Sequence, residues 1–408
     1  MLLARLVGKI LQAGVLEIVD PQGGRHLVEG SRPGPHIIVR VHDGRTARRL
    51  ITEPRLAVGE CYMDGTLTVE NGDIYDFLEL MGYSIEAFEQ HPVNLVLSRI
   101  GYWLRGLRQY NPVGRAQKNV AHHYDLSGAL YDLFLDEDRQ YSCAYFRSPE
   151  DTLEQAQDQK KKHIAAKLLI KPEHKVLDIG CGWGGMGLYL ARATGADVTG
   201  VTLSVEQQKV AQSRAETEGL SERVRFALRD YREEPGRYDR IVSVGMFEHV
   251  GARHYGEFFN KVRNLMTDDG VMLLHAIGRM EPPGGTNPWL RKYIFPGGYT
   301  PALSEVLTAI ERAGLWVTDC EILRLHYAFT LREWRKRFMA NRDRIKALYD
   351  ERFCRMWEFY LAACEMSFRH MRQMVFQLQI TRHEQAVPLT RDYMYEIERE
   401  YLASRAAE

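Results

Sequence analysis

One stretch of the chain decides its fold: Asp178-Ile179-Gly180-Cys181-Gly182-Trp183-Gly184. A short apolar run, Lys175-Val176-Leu177, precedes it, and a helical pattern follows from Met186 to Ala191. This order predicts a strand, a glycine turn and a helix. Glycines without a Cβ let the backbone lie against a ligand, and the amides of a helix N-terminus favour a polar or anionic group. Asp178 ends the strand, where its carboxylate can bind an amine or a hydroxyl group.

The spacing of these glycines is closer to the first loop of an S-adenosylmethionine (SAM) methyltransferase than to a dinucleotide-binding fingerprint. A glycine pattern alone is a weak signal, and an ordinary strand-to-helix turn is the alternative. The functional prediction therefore depends on the residues at the other strand ends.

Length and composition set broad limits. The 408 residues, 45% hydrophobic and 26% charged, are typical of a globular protein of one to three domains. The formal net charge is zero, so no overall attraction to nucleic acid is expected. No run of 18 apolar residues is present, and the N-terminus lacks the features of a signal peptide.

The cysteine and histidine spacing gives no indication of a metal site. The six cysteines form no metal-type CxxC pair, and His122-His123 has no third ligand at a recognisable spacing. The sequence therefore predicts no metal, and reduced thiols in a cytoplasmic protein.

Residues 1–91 are predicted to form a small α+β module. Strands are predicted at Val15–Val19, His36–Val41 and Thr66–Val69, with Gly and Pro turns between them, and a helix from Tyr75 to Met81. Nothing in this module indicates catalytic chemistry. Residues 92–118 are predicted to form a basic amphipathic linker, in which aromatic and aliphatic side chains such as Trp103 lie near arginines in the sequence. This composition suits a membrane interface, and a helix docked on the next domain is the equal alternative.

Residues 119–408 are predicted to form an α/β catalytic domain with C-terminal helices. Helical patterns separate most of its predicted strands, which indicates a doubly wound, Rossmann-like and mainly parallel sheet. The predicted strands are Lys175–Ile179, Asp197–Thr202, Val224–Ala227, Asp239–Ser243 and Val271–His275. The region from about 330 to 380 is predicted to be helical.

Ligands of such sheets lie beyond the carboxyl ends of the strands, so the residues there are the candidates for function. Thr202 and Gln207 follow the second strand as polar groups for a ribose, and Asp230-Tyr231 follows the third as a carboxylate and ring for an adenine. Glu248 follows the fourth strand and His275 ends the fifth. A carboxylate and an imidazole that converge on one cleft can manage a proton, although each alone is more often structural.

Cys143 precedes the sheet, in the segment Tyr141-Ser142-Cys143-Ala144-Tyr145-Phe146. It has no visible base beside it, so a small residue that lines a pocket is a better interpretation than a nucleophile.

Five segments together resemble the cyclopropane-fatty-acyl-phospholipid synthases and the related mycolic acid cyclopropane synthases. The resemblance runs from about residue 115 to about 385, and the N-terminal module is similar to the extra lipid-binding domain of the phospholipid-acting branch. The segments are His122–Asp125, Tyr141–Phe146, Asp178–Gly184, Phe247–Gly251 and Lys292–Gly298.

The resemblance implies roles for individual residues. It implies that SAM is bound by Tyr141, Ser142, Asp178, Gly180, Gly182, Trp183, Thr202, Gln207, Asp230 and Tyr231. It implies that a bicarbonate ion is held by the Cys143 and Ile277 backbones and by Glu248, His275 and Tyr327. Cys364 matches a cysteine near the family's active site that is not a nucleophile.

The implied reaction is the cyclopropanation of cis double bonds in phospholipid acyl chains. A fatty-acid C-methyltransferase with a methyl-branched or methylene product is the main alternative, and a lipid-binding protein with a degenerate fold is a third. The developing cation would lie near aromatic faces such as Tyr145, Phe146, Tyr299 and Tyr327.

A lipid substrate would place the enzyme at a membrane surface. Residues 331–346 contain seven bases and two acids, and each base near an anionic leaflet contributes about 1 kcal/mol. A solvated helix face with ion pairs is the alternative. The resemblance further implies a homodimer, peripheral at the inner face of the membrane.

Overall fold

The computed structural model describes residues 1–90 and 128–405. The predicted linker 92–118 and the segment His122–Asp125 lie outside these residues. Within them, no helix is both long enough and apolar enough to cross a membrane.

Contacts divide the described residues into two compact units. The first contains the N-terminal module together with residues 284–296 and 328–373. The second contains residues 128–283, 297–327 and 374–405. The helices within 328–373 thus belong to the first unit, whereas the sequence analysis grouped them with the catalytic domain.

The first unit contains a four-stranded sheet in the order β2-β1-β3-β4. β1 pairs in parallel with β3 and antiparallel with β2. Its strands are β1 (Ala13–Val19), β2 (Arg25–Glu29), β3 (Arg32–Val41) and β4 (Leu67–Val69). Its helices are Leu2–Val7, Gly44–Thr52, Pro54–Met63, Ile74–Gly82, Ile85–Gln90, Pro288–Tyr293, Arg342–Leu348, Glu351–His370 and most of His326–Ala340. The three predicted strands and the predicted helix are confirmed, and β2 and the helices Gly44–Thr52 and Pro54–Met63 were missed.

Polar and aromatic contacts explain why the later helices belong to this unit. The Tyr62 hydroxyl donates to Glu358 Oε2 at 2.7 Å, although 296 residues separate the two. The ring of Trp289 packs edge-on against Phe359 with centroids 4.7 Å apart. Trp289 and Phe359 are both buried, and burial of such large side chains is the main favourable contribution to packing.

The second unit contains a seven-stranded sheet in the order β10-β11-β9-β8-β5-β6-β7. β5, β6, β7, β8 and β9 pair in parallel, and β10 and β11 pair antiparallel. The predicted α/β fold class is therefore confirmed. The strands are β5 (Lys175–Ile179), β6 (Asp197–Thr202), β7 (Val224–Leu228), β8 (Tyr238–Val244), β9 (Met266–Arg279), β10 (Trp316–Leu323) and β11 (Gln373–Thr381).

Helices cover this sheet, and short 3-10 turns follow two of its strands. The helices are Gly128–Tyr131, Leu153–Leu168, Gly185–Thr194, Val205–Thr217, Tyr255–Leu265, Leu303–Arg312 and Asp392–Arg405, and the 3-10 turns are Tyr231–Glu233, Phe247–His249 and Ala252–His254. Leu177 and Ile179 of β5 belong to one buried apolar cluster, and Val176 belongs to another. Strands buried on both faces in this way are typical of a parallel sheet.

The prediction of helix throughout residues 330–380 is wrong at its end. Residues 373–381 form the buried strand β11, and β10 was missed as well. The segment Phe376-Gln377-Leu378-Gln379-Ile380 alternates apolar and polar residues, which is the signal of a strand. The two glutamines are almost fully buried and are accepted there because both amides are hydrogen-bonded.

The predicted glycine turn between β5 and the helix Gly185–Thr194 is confirmed. Gly184 has φ +85, and a Cβ there would lie 2.7 Å from Phe226 Cζ and 2.8 Å from the Cβ of Ala211. A side chain would therefore meet both an unfavourable backbone conformation and a steric clash.

Replacement Gly184→Ala should lower the free energy of unfolding by about 2–5 kcal/mol, since a left-handed alanine costs about 1–2 kcal/mol and overpacking costs about 1–3 kcal/mol. Gly219→Ala is the matched control, because Gly219 has φ +68 and open space around it. Urea denaturation of both variants measures the difference, and equal losses would contradict the role assigned to the clash.

Candidate active site

A large cavity of the second unit opens at the carboxyl ends of its parallel strands. It encloses about 1230 Å³, counting the part open to solvent, which is ample for a cofactor. Loops after β5, β6, β7 and β8 and the segment 139–142 line it. All ten residues predicted to bind the cofactor line this cavity, namely Tyr141, Ser142, Asp178, Gly180, Gly182, Trp183, Thr202, Gln207, Asp230 and Tyr231.

The glycine loop brings its backbone close to the neighbouring elements. The amides of Gly180 and Cys181 both donate to the carbonyl of Val201 on β6, at 2.9 and 3.1 Å. Gly180 has φ +84, and a Cβ there would lie 2.7 Å from Met246. Only glycine therefore leaves this edge of the cavity open.

Asp178 is the charged group at the base of the loop. Its side chain is buried, and Oδ2 has no hydrogen-bond partner among the residues that the structure describes. Burial raises the pKa of Asp178 to about 7, against a smaller opposing effect of Lys160. A carboxyl group in this state is suited to receive a cationic amine, which would stabilise its ionised form.

The loop after β6 is fixed by its own side chains. Thr202 Oγ1 donates to the side-chain oxygen Oε1 of Gln207 at 3.0 Å. The Ser204 hydroxyl caps the following helix by accepting from the backbone N–H of Gln207. Thr202 and Gln207 are both buried, so their positions at the cavity wall are well defined.

Arg232 is a cavity residue that the sequence analysis missed. Its Nε donates to Asp230 Oδ1 at 2.9 Å and its Nη2 donates to Oδ2 at 2.7 Å. The carboxylate predicted to meet an adenine is thus also part of an ion pair. The ring of Tyr231 is held edge-on against Phe258 with centroids 5.3 Å apart.

A fully buried lysine, also missed, holds the segment before the sheet. Lys160 donates from Nζ to Gln140 Oε1 at 2.7 Å and to Ser142 Oγ at 2.8 Å. Gln157, one turn earlier on the same helix, donates to the carbonyls of Gln140 and Ser142 at 3.2 and 3.0 Å. Burial lowers the pKa of Lys160 to about 8. The i,i+3 spacing of these two polar residues is the only sequence signal for this role.

Three of the predicted catalytic residues are brought together beside the cavity. Glu248 lies in the 3-10 turn after β8, between Met246 and His249, which both line the cavity. Its Oε1 accepts from the amide of Ile277 on β9 at 2.6 Å. His275 lies two residues earlier on β9, and its carbonyl accepts from the Gly245 amide at 2.9 Å.

Two polar atoms of this group have no partner within residues 1–90 and 128–405: Glu248 Oε2 and His275 Nε2, both buried. Burial raises the pKa of Glu248 to about 7. Burial also holds the pKa of His275 well below its ordinary value, with Lys160 adding to the effect. The site thus offers a neutral imidazole and a carboxyl group poised to gain or lose a proton near neutral pH.

The other predicted catalytic residues are Cys143, Tyr327 and Cys364. Cys143 and Tyr327 are buried in the second unit. Cys364 lies in the first unit on the helix Glu351–His370, and burial raises the pKa of its thiol to about 12. Such a thiol stays protonated at neutral pH, in line with the expectation that Cys364 is not a nucleophile.

Residues 113–378 match the family described as mycolic acid cyclopropane synthetase. The chain belongs to this family. The family predicted from the sequence is therefore confirmed.

Curated relatives cover most of the chain. It is 38% identical to the cyclopropane-fatty-acyl-phospholipid synthase of Escherichia coli K12, over 87% of this chain and 90% of that protein. It is 34% identical to a probable fatty acid methyltransferase of Pseudomonas putida, over 89% and 92% of the two chains. Among solved structures, the mycolic acid cyclopropane synthase CmaA1 complexed with SAH and CTAB has a TM-score of 0.62 and 34% identity. The match covers 66% of this chain and 99% of that one.

Replacement Asp178→Asn should stabilise the free protein at about pH 8. The pKa of Asp178 is about 7 in the fold against an ordinary value of 3.8, so between these pH values the folded state binds a proton that the unfolded state does not. The stability contributed by that proton is present below about pH 4 and is lost as the pH rises through about 7. The variant should therefore be more stable than the wild type by roughly 2–4 kcal/mol at pH 8, with the difference vanishing near pH 4.

Urea denaturation at several pH values measures this difference. Asp268→Asn is the control, because the Asp268 side chain is 77% exposed. A wild type that is the more stable protein at pH 8 would show that Asp178 is ionised at no cost.

Proposed function

We propose that this chain transfers a methylene group from SAM to cis double bonds in the acyl chains of membrane phospholipids, forming cyclopropane rings. The observation that carries the proposal is that two buried atoms, Glu248 Oε2 and His275 Nε2, have no partner among the described residues of the unit that contains the cofactor-sized cavity. The 38% identity to a cyclopropane-fatty-acyl-phospholipid synthase supports the same conclusion.

We assign SAM to the cavity. Its methionine part would lie against Gly180 and Gly182, with its ammonium group at the free carboxyl oxygen of Asp178. Thr202 and Gln207 would meet the ribose, and Asp230 and Tyr231 the adenine. The SAH complex of the related CmaA1 supports a cofactor of this class.

The reaction needs alignment more than strong acid or base. The π bond attacks the sulfonium methyl group, the carbon–sulfur bond breaks, and SAH leaves with the electron pair. The carbocation then loses one proton from the new methyl group, and the ring closes. An alkene is a weak nucleophile, so proximity and orientation supply much of the rate.

Bicarbonate fits the residues beside the cavity. His275 can donate and Glu248 can accept, so a small anion that carries both an oxyanion and a hydroxyl group satisfies both buried atoms. We propose that Glu248, His275, Tyr327 and the backbones of Cys143 and Ile277 hold it. When bound, it would supply a small base for the proton of the transferred methyl group. Glu248, with a pKa of about 7, can hold a proton at Oε2.

Aromatic side chains can stabilise the cation while they exclude water, and contacts of two of the four proposed residues show how their rings are held. The ring of Tyr145 stacks on His163 and His326, with centroids 4.2 and 5.0 Å away. The guanidinium of Arg279 lies 5.9 Å from the ring centre of Tyr299. We propose that Tyr145, Phe146, Tyr299 and Tyr327 face the cation.

We propose that the protein acts at the inner face of the membrane and that the N-terminal module binds lipid. The basic segment 331–346 supports this less than its sequence suggested, because most of its bases are ion-paired. The pairs are Arg332–Glu333, Arg335–Glu365, Lys336–Glu333, Arg342–Glu351 and Lys346–Glu351. Sedimentation with anionic vesicles tests the membrane proposal, and a protein that stays in the supernatant contradicts it.

We further propose a homodimer, on the resemblance to the phospholipid-acting branch of the family. Light scattering of the purified protein measures its mass, and a monomer of 47.1 kDa at micromolar concentration contradicts this proposal.

Incubation of the protein with SAM and vesicles of a cis-unsaturated phospholipid should add one CH₂ to each modified acyl chain, as measured by mass spectrometry. The product should resist hydrogenation conditions that saturate alkenes. A product with the same added mass and a remaining alkene, or with two further hydrogens, would instead identify the C-methyltransferase alternative. No added mass with SAM bound would contradict the proposed substrate.

Replacement Glu248→Gln should lower kcat by more than about 100-fold, because the amide cannot take up a proton. The dissociation constant of SAM should change less than about twofold, since Glu248 itself does not line the cavity. Calorimetry and the product assay measure the two quantities. Glu257→Gln is the control, since Glu257 is half-exposed, and equal activity of both variants would remove Glu248 from the mechanism.

A further inference from the structure

The two ring nitrogens of His275 have different surroundings. Nδ1 lies 3.1 Å from Nε2 of Gln377, which is on β11, the neighbouring strand of the sheet. Nε2 is buried and has no partner in the described part of the chain. A neutral imidazole carries one proton, so this buried Nε2 is a donor in one tautomer and an acceptor in the other.

The orientation of the Gln377 amide is fixed by a lysine. Lys167 Nζ lies 3.0 Å from Gln377 Oε1. An ammonium group is only a donor, so the amide oxygen must face Lys167. The amide nitrogen must then face His275, and because it too is only a donor, Nδ1 must accept.

Lys167 is itself held in place by charges. It is fully buried and lies on the helix Leu153–Leu168. Nζ pairs with Glu321 and lies 3.5 Å from Asp319, both on β10. Glu321 also accepts from His163 Nε2 at 2.6 Å. Because Lys167 Nζ donates to these acceptors and carries no acceptor of its own, its hydrogen bond to Gln377 has a fixed direction.

We propose that Gln377 is a positioning residue which, held by Lys167, keeps His275 in the tautomer with its proton on Nε2. An N–H donor then faces the site and can bind an anionic oxygen. The opposite tautomer would present a lone pair that repels an anion. The inference rests on the proposed function in one respect only, namely that the anion bound by this N–H group takes part in the reaction.

The tautomer of His275 can be measured by NMR in the free protein, after its histidine rings have been labelled with ¹⁵N. Comparison with His275→Gln identifies the His275 signals. The expected result is a protonated Nε2 and an unprotonated Nδ1 at neutral pH. A protonated Nδ1, alone or together with Nε2, would overturn the proposal.

Replacement Gln377→Glu should reverse this result. A carboxylate only accepts hydrogen bonds, so it should draw the proton to Nδ1. An Nε2 that remains protonated with Nδ1 bare would show that Gln377 does not control the tautomer. The wild-type spectrum decides the question by itself if this variant does not fold.

Replacement Gln377→Met should lower kcat about 10–100-fold, the loss seen when the residue that orients a metal-binding histidine is removed, and leave the KM for SAM unchanged. Gln379→Met is the matched control. Gln379 is two residues along β11 and equally buried, but its amide bonds to Tyr393 and to the Lys167 carbonyl. Equal losses of kcat in both variants would indicate a general role in packing and contradict the proposal.

These measurements separate the inference from the proposed function. The ring spectra need neither SAM nor lipid. A protonated Nε2 in a protein that forms no cyclopropane would contradict the function alone. Cyclopropane formation by a protein with a protonated Nδ1 would contradict the inference alone.

Discussion

Two buried lysines of one helix hold the site together. Lys160 bonds to Gln140 and Ser142 at the cofactor cavity, and Lys167 bonds to Gln377 behind His275. A buried ammonium group is tolerated only with a full set of acceptors. The helix Leu153–Leu168 therefore holds both the segment that contains Gln140 and Ser142 and the strand β11 that contains Gln377.

Partners, rather than burial alone, decide the charge of the carboxyl groups in this unit. Asp178 and Glu248 have no cationic hydrogen-bond partner among the described residues, and burial raises the pKa of each to about 7. Glu321 is also largely buried, but hydrogen bonds from His163 and Lys167 hold its pKa well below the ordinary value. Asp178 lines the cavity and Glu248 lies between residues that line it, so a bound cation or anion there would supply the missing partner.

Local sequence was sufficient to predict the parallel strands and the residues that follow them. β5 and β6 have the predicted bounds, and eight of the ten predicted cofactor residues share one cavity because the strand ends share one edge. Lys167 and Gln377 could not be found in this way, since 210 residues separate them and each becomes significant only through the other. β11 has only nine residues and follows a long helix. It was missed because the aromatic and basic composition of the whole region was given more weight than the alternating pattern of this short segment.

The place of β11 in the sheet has a consequence for how the protein is made. The strand between β9 and β10 is the last of the described strands to leave the ribosome. Until residue 381 has emerged, β9 presents an unpaired edge that can pair with another chain. During that time His275 also lacks its hydrogen-bond partner Gln377. Assembly of the contacts among Lys167, Gln377 and His275 is thus postponed to the last part of synthesis, and a chain truncated before β11 would lack them and expose an edge prone to aggregation.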